Sequence, residues 1–166
     1  MAEITNSKLL DTGILNIQDA CIVIVKTDWN ATVVDELERG CMNTLKVNGI
    51  RNIVTITVPG AVEIPFAVRS YWQAAEASVG RRDKPNAFIA LGCVVRGGTP
   101  HFEYVCKMVT EGILQLNLSL PVPTIFGVLT VDNETQAKER TGGIHGHKGA
   151  EAAVTALKMI TLSRSL

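Results

Sequence analysis

The sequence predicts an α/β fold: a three-layer α/β/α sandwich around a four-stranded parallel sheet, flavodoxin-like in arrangement. Three observations predict it. Four short apolar or β-branched runs, Cys21 to Val25, Ile53 to Val58, Ala87 to Val95 and Thr124 to Val128, each precede a stretch of helical character. The third run is nearly free of charge, as expected of a strand covered on both faces. Such alternation favours right-handed βαβ crossovers, which put helices on both sides of a parallel sheet.

Each element has a local reason. After a polar arm spanning residues 1–20, the remaining 21–166 form one domain, with CIVIV as its first strand. Asn30 is a suitable cap for a helix from Ala31 to about Val47, with Asp35, Glu36, Glu38 and Arg39 on its solvent side. Ile53 to Val58 alternates with threonine as a second strand. Pro59-Gly60 then turns into a helix from about Ala61 to Ala77, whose Pro65 is tolerated only in the first turn. Val79 to Asn86 is a polar loop. Beyond the third strand, Thr99 is expected to cap a helix from Pro100 to about Asn117, with Pro100 at its first position. Pro121-Val122-Pro123 leads into the fourth strand, Asp132 or Asn133 caps a short helix ending near Arg140, and Thr141 to Gly149 is a glycine-rich loop. Ala150 to about Leu162 closes the chain as an amphipathic helix.

Composition narrows the function classes. Lys+Arg and Asp+Glu both total 16, so no net positive charge recommends a nucleic-acid partner, and an anionic substrate must be held locally. Cys21, Cys41, Cys93 and Cys106 are widely spaced without a CxxC pair, which suggests small core residues in a reducing cytoplasm. The N-terminal residues lack the pattern of a signal peptide, and no apolar run approaches the roughly 18 residues of a membrane span, so a soluble intracellular chain is expected. Only 19% of residues are charged while 46% are hydrophobic, an excess that predicts apolar surface meeting another subunit.

In open parallel sheets ligands sit outside the carboxyl ends of the strands. Asp28-Trp29-Asn30, Pro59 to Glu63, Arg96 to His101 and the segment after Val128 are therefore expected at one edge. Gly97, Gly98 and Thr99 lie between a strand end and a helix start, where free amides and the helix dipole attract an anion. The same dipole disfavours a protonated His101, and a neutral imidazole beside an anion pocket suits proton transfer on a phosphorylated substrate. Trp29 directly after a strand is placed to stack on a flat ring or to pack against a neighbour. Glu63 can accept hydrogen bonds from a polar ring or simply complement its helix dipole; Arg140 can clamp phosphate or complement a helix end. His145 and His147 lack a third ligand, so no metal is assigned. Cys93 lies inside its strand, which disfavours a Cys–His nucleophile with His101. Walker A and GxGxxG motifs are absent, which disfavours NTP hydrolysis and nicotinamide chemistry.

From about Asp19 to Leu162 the chain resembles the 6,7-dimethyl-8-ribityllumazine synthase family of riboflavin biosynthesis. The resemblance is carried by DWN (28–30), VPGAVEIP (58–65), ALGCVVRGGTPHFEYV (90–105), PTIFGVLTVDNETQAKER (123–140) and HKGAEAA (147–153). It implies condensation of 5-amino-6-(D-ribitylamino)uracil with 3,4-dihydroxy-2-butanone 4-phosphate, releasing phosphate and water, with no cofactor. It also implies roles. Trp29 stacks on the pyrimidine where phenylalanine is usual. Ala61, Val62 and Glu63 hold the ribityl chain and the uracil, although an aromatic residue is common at the position of Val62. Cys93, Val94 and Val95 meet the ring through backbone groups. Gly98 and Thr99 cradle phosphate and His101 transfers protons. Phe126 and Arg140 are implied to reach an adjacent subunit's ring and phosphate pockets, within a pentamer, and Lys148 matches a basic family position. The short segment Thr141 to His147 resembles the form found in 60-subunit shells. A non-catalytic flavin or lumazine carrier, or a shell protein with little turnover, would share the scaffold. Carrying a ring would not require His101 or Arg140.

Overall fold

The apolar runs do become parallel strands, and their alternating side chains divide the core in two. The computed structural model describes residues 8–11, 13, 15, 17–78 and 84–166. The main elements are β1 (Cys21–Thr27), α1 (Ala31–Val47), β2 (Asn52–Val58), α2 (Ile64–Ala77), β3 (Ala87–Val95), α3 (His101–Ser119) and β4 (Thr124–Val131). They are followed by α4 (Glu134–Lys138), a ribbon of β5 (Thr141–Gly143) and β6 (Gly146–His147), and α5 (Lys148–Ser165). Among these, no helix is long and apolar enough to cross a membrane.

The four long strands pair in parallel in the order β2-β1-β3-β4. Ile22 and Ile24 of β1 face one cluster with Val34, Leu37, Ile89, Leu91 and Leu157, beneath α1 and α5. Val23 and Val25 face the other, with Val68, Trp72, Phe88, Val109 and Ile113, beneath α2 and α3. That is the two-residue period of a strand buried on both faces. Phe88 is wholly buried and meets Tyr71 edge-on, with ring centroids 6.0 Å apart. The expected three-layer flavodoxin-like architecture and its four-stranded parallel sheet are thus observed.

Several local expectations need correction. Asn30 does not cap α1 through its side chain; it adopts a left-handed conformation (φ 59°, ψ 39°) and its amide points elsewhere. Thr99 is not the cap of α3, which starts at His101 after Pro100 without a side-chain cap. Residues Ala61–Glu63 form a separate 3₁₀ turn before α2, because Pro65 cannot supply an N–H to an earlier turn. The Thr141 to Gly149 segment contains the β5–β6 ribbon, and α5 begins at Lys148, where His147 accepts the Ala150 N–H on Nδ1.

Other elements follow expectation more closely. Asn133 caps α4 by accepting the Gln136 N–H at 3.0 Å. On α1, Asp35 and Glu38 both engage Lys26, at 2.9 and 2.6 Å, so the polar face of this helix is tied to the end of β1. Of the polar loop 79–86, residues 79–83 lie outside the described residues. Asn86 exchanges two hydrogen bonds with the backbone of Cys21 and anchors the entry to β3.

Candidate active site at the carboxyl ends of β1 and β3

The strand order creates the site. From β1 the chain crosses to β2 on one side and then to β3 on the other, so the loops leaving β1 and β3 part in opposite directions and leave a crevice. A groove of about 450 Å³ occupies it. Trp29, Ala61, Val62, Glu63, Cys93, Val94, Val95 and His101 line it, together with Asn30, Pro59, Gly60 and Val105.

Backbone hydrogen bonds hold the walls in place. Asp28 and Trp29 donate to the carbonyls of Val58 and Pro59 at 2.9 and 3.1 Å, which fastens the loop after β1 to the exit of β2. The Thr27 hydroxyl donates to the Trp29 carbonyl, and the Asn30 side-chain amide donates to the Cys93 carbonyl at 2.7 Å. Trp29 is 73% exposed, which leaves its indole as an apolar plate open to solvent. Gly60 lies close to both walls: a Cβ there would meet a Glu63 carboxylate oxygen at 3.0 Å, which that flexible side chain would have to yield, and the indole at an ordinary 3.5 Å.

Burial pushes the Cys93 thiol up to about 11, so at neutral pH it is not a thiolate. A Cys–His nucleophile is therefore disfavoured on chemistry as well as position. His101 opens α3 and borders the same groove. Gly97, Gly98 and Thr99 precede it in an exposed turn, and a Cβ at either glycine would meet nothing within 4 Å. Gly98 and Thr99 do not line the groove itself.

Phe126 and Arg140 are not brought to this groove. Phe126 lies on the edge strand β4, opposite Ala90 in register, and lines a second groove of about 490 Å³ with Lys148, Glu151, Thr155 and Met159. Lys148 pairs there with Glu151 at 2.8 Å. The Arg140 guanidinium donates to the Gln136 carbonyl at 2.8 Å and lies 3.7 Å from the Glu139 carboxylate. His145 approaches Glu139 at 3.8 Å, while His147 caps α5. Among the described residues, no group of three or more His, Cys, Asp or Glu is placed to hold a metal ion.

Of the other lining residues, Asn30, Pro59 and Gly60 fall in the segments expected at this edge, but the sequence assigns them no role there, and it does not single out Val105 as a site residue. For Asn30 a signal was present, since asparagine tolerates the left-handed region far better than most residues. That signal competes with its equally good record as a helix cap.

This arrangement offers an aromatic plate, a carboxylate, strand-end backbone and an imidazole around one cavity. Comparisons with known proteins agree with it. A family model described as 6,7-dimethyl-8-ribityllumazine synthase matches residues 19–164. The chain is 46% identical over 149 residues to a 6,7-dimethyl-8-ribityllumazine synthase of Porphyromonas gingivalis, covering 89% of this chain and 88% of the relative. It is 46% identical over 144 residues to that of Parabacteroides distasonis, covering 86% and 85%, and 41% identical over 145 residues to that of Bacteroides fragilis, covering 86% and 96%. With the match running through every strand and every loop of the groove, the chain belongs to the 6,7-dimethyl-8-ribityllumazine synthase family.

Proposed function

We propose that the chain condenses 5-amino-6-(D-ribitylamino)uracil with 3,4-dihydroxy-2-butanone 4-phosphate, and that the groove between β1 and β3 receives the pyrimidine. One observation carries this reading: Trp29, Glu63, the Cys93–Val95 strand end and His101 converge on a single cavity in a member of this family. The exposed indole stacks on the ring, the Glu63 carboxylate accepts hydrogen bonds, and strand-end backbone of residues 93–95 reads the ring edge. Ala61 and Val62 border the ribityl chain.

The chemistry is a series of proton movements. The pyrimidine amine adds to the ketone carbonyl and water leaves as the Schiff base forms. Phosphate then departs, the second amine closes the ring, and another water leaves. No step changes the overall oxidation level, so holding the two reactants together supplies much of the rate. His101 carries protons between nitrogen, carbon and oxygen. The Gly98 and Thr99 amides in the turn before α3, with Arg140 of an adjacent copy, stabilise the phosphate as it leaves.

Phe126 and Arg140 stand apart from the groove of their own chain, which supports a site completed by an adjacent copy. Phe66, Tyr104, Leu118 and Ile144 are each at least 66% exposed, apolar surface suited to such association. The assembly we infer is a homopentamer with five sites between neighbours, and the short segment 141–147 favours twelve pentamers in a 60-subunit shell. Light scattering that gives only a pentamer mass would remove the shell. The four free cysteines fit a cytoplasmic setting.

Mixing the purified chain with both substrates tests the reaction, with lumazine absorbance and phosphate release followed against an uncatalysed control. Saturable acceleration with one phosphate per lumazine supports it. Tight lumazine or flavin binding without acceleration would instead identify a carrier.

A further inference from the structure

Arg96 stands immediately before Gly97-Gly98-Thr99, a position from which a cation could serve phosphate as a ligand. Its guanidinium is otherwise engaged. Nε donates to the Asp132 carboxylate at 2.8 Å, Nη1 donates to the Glu103 carboxylate, and Cζ lies 4.2 Å from the centroid of the Phe102 ring. Its backbone N–H donates to the Val131 carbonyl at 2.9 Å. One residue thus joins the end of β3, the end of β4 and the first turn of α3. The turn of residues 97–100 is the segment that these links bracket.

The two carboxylates explain why such a residue is needed. Glu103 sits in the first turn of α3, two residues after His101, and Asp132 directly follows β4. Hydrogen bonding to Arg96 holds both carboxyls below the usual carboxylate range, so both are ionised when the turn meets an anion. Left unpaired, they would leave two negative charges where the turn of residues 97–100 begins and ends, since Arg96 precedes that turn and Glu103 follows it in α3.

We propose that Arg96 is a positioning residue that pairs with Glu103 and Asp132 and offsets part of their negative charge beside the turn of residues 97–100, and that it is not itself a phosphate ligand. This rests on the reading that the turn of Gly98 and Thr99 receives the phosphate. The distinction has a consequence. A ligand lost by substitution cannot be restored by removing carboxylates, whereas a charge that offsets theirs becomes dispensable once they are gone.

The experiment is steady-state kinetics on the assembled wild type, Arg96→Ala, Arg96→Lys and the triple variant Arg96→Ala/Glu103→Gln/Asp132→Asn, with assembly of each checked by light scattering. Arg96→Ala is expected to raise the KM for the phosphorylated ketone roughly tenfold, with the pyrimidine KM and kcat moving much less. Arg96→Lys recovers part of the loss, and the triple variant recovers most of it. Because the three side chains are exposed, raising salt to about 0.5 M should shrink the ratio of Arg96→Ala to wild-type KM. An unchanged KM in Arg96→Ala overturns the proposal, as does a triple variant no better than Arg96→Ala or a ratio insensitive to salt. Thr99→Pro, which deletes one cradle amide, separates the two layers of inference. If it raises the ketone KM while Arg96→Ala does not, the phosphate pocket stands and the role of Arg96 falls. If neither variant moves it, the pocket reading itself has failed.

Discussion

The Asn30 side-chain amide donates to the Cys93 carbonyl at 2.7 Å, bridging 63 residues of sequence and joining the two strand ends that flank the groove. Asn30 makes this bond from a left-handed backbone conformation (φ 59°). A helix cap would face the amides of α1; this residue turns away from them and secures the wall of the cavity.

Asn30→Ala removes the bond and puts a less tolerant residue at positive φ, each effect costing about 1 kcal/mol. Asn30→Gly removes the bond but relieves the backbone. We expect thermal unfolding to rank wild type above Gly and Gly above Ala, with a raised pyrimidine KM in both. A glycine variant indistinguishable from wild type in both measurements would show that the bond contributes nothing.

His101→Ala should lower kcat about a hundredfold, toward the low end of general acid–base effects, because proximity supplies much of the remaining rate. Lumazine affinity, measured by its fluorescence, should change little. Unaltered kcat would take the proton-transfer role away from His101.

Arg140→Ala should raise the KM for the phosphorylated ketone by about tenfold, the effect of losing one charge-assisted contact to phosphate. Mixing this variant with His101→Ala protomers under reassembly checks the inter-subunit arrangement. Some sites then combine an intact His101 with an intact Arg140, so activity should exceed the sum of the separate variants.

Gly149→Ala tests the contact between α1 and α5. A Cβ at 149 would fall 2.0 Å from the carbonyl oxygen of Leu37, and backbone on both sides cannot yield as a flexible side chain would. The helices must separate, and overpacking of this kind costs roughly 3 kcal/mol or more. Urea unfolding should record a lower midpoint, or the variant should fail to accumulate as folded protein.

Stability should also depend on His147. Burial, assisted by the nearby Arg39 charge, holds its imidazole below the ordinary value of 6.5, against the opposing pull of Glu36 and Glu151. The unfolded chain therefore binds a proton more readily than the folded one. Its contribution is fully present above pH 6.5 and is lost as pH falls from there through the lowered folded value. His147→Asn retains a capping side chain but not the titration. Its unfolding temperature should fall less than that of wild type between pH 7 and 5. Parallel curves would assign the acid sensitivity to other groups.

Ala87 to Val95 was legible as a buried strand because a continuous apolar run needs cover on both faces, whatever surrounds it. The alternation of Thr and Ile in β2 carried its half-exposed edge in the same way. Cap positions were less legible. Asn30 and Thr99 each satisfy the local preference for a helix start, but the first spends its amide on a distant carbonyl and the second is followed by Pro100 and an uncapped helix. The β5–β6 ribbon was hidden because glycine-rich segments contain little side-chain pattern to read.

The sequence by itself determined the element order, the parallel sheet, the family and the set of loops bound for one edge, since these depend on periodicity and on motifs contiguous in the chain. Only the tertiary structure decided the strand order β2-β1-β3-β4, the crevice it opens, the union of Trp29, Glu63 and His101 there, and the separation of Phe126 and Arg140 from them. It also decided that Arg96 serves two carboxylates. The physical reason is distance along the chain: hydrogen bonds and ion pairs spanning tens of residues arise from how layers stack, and no local pattern encodes which partner the packing will bring.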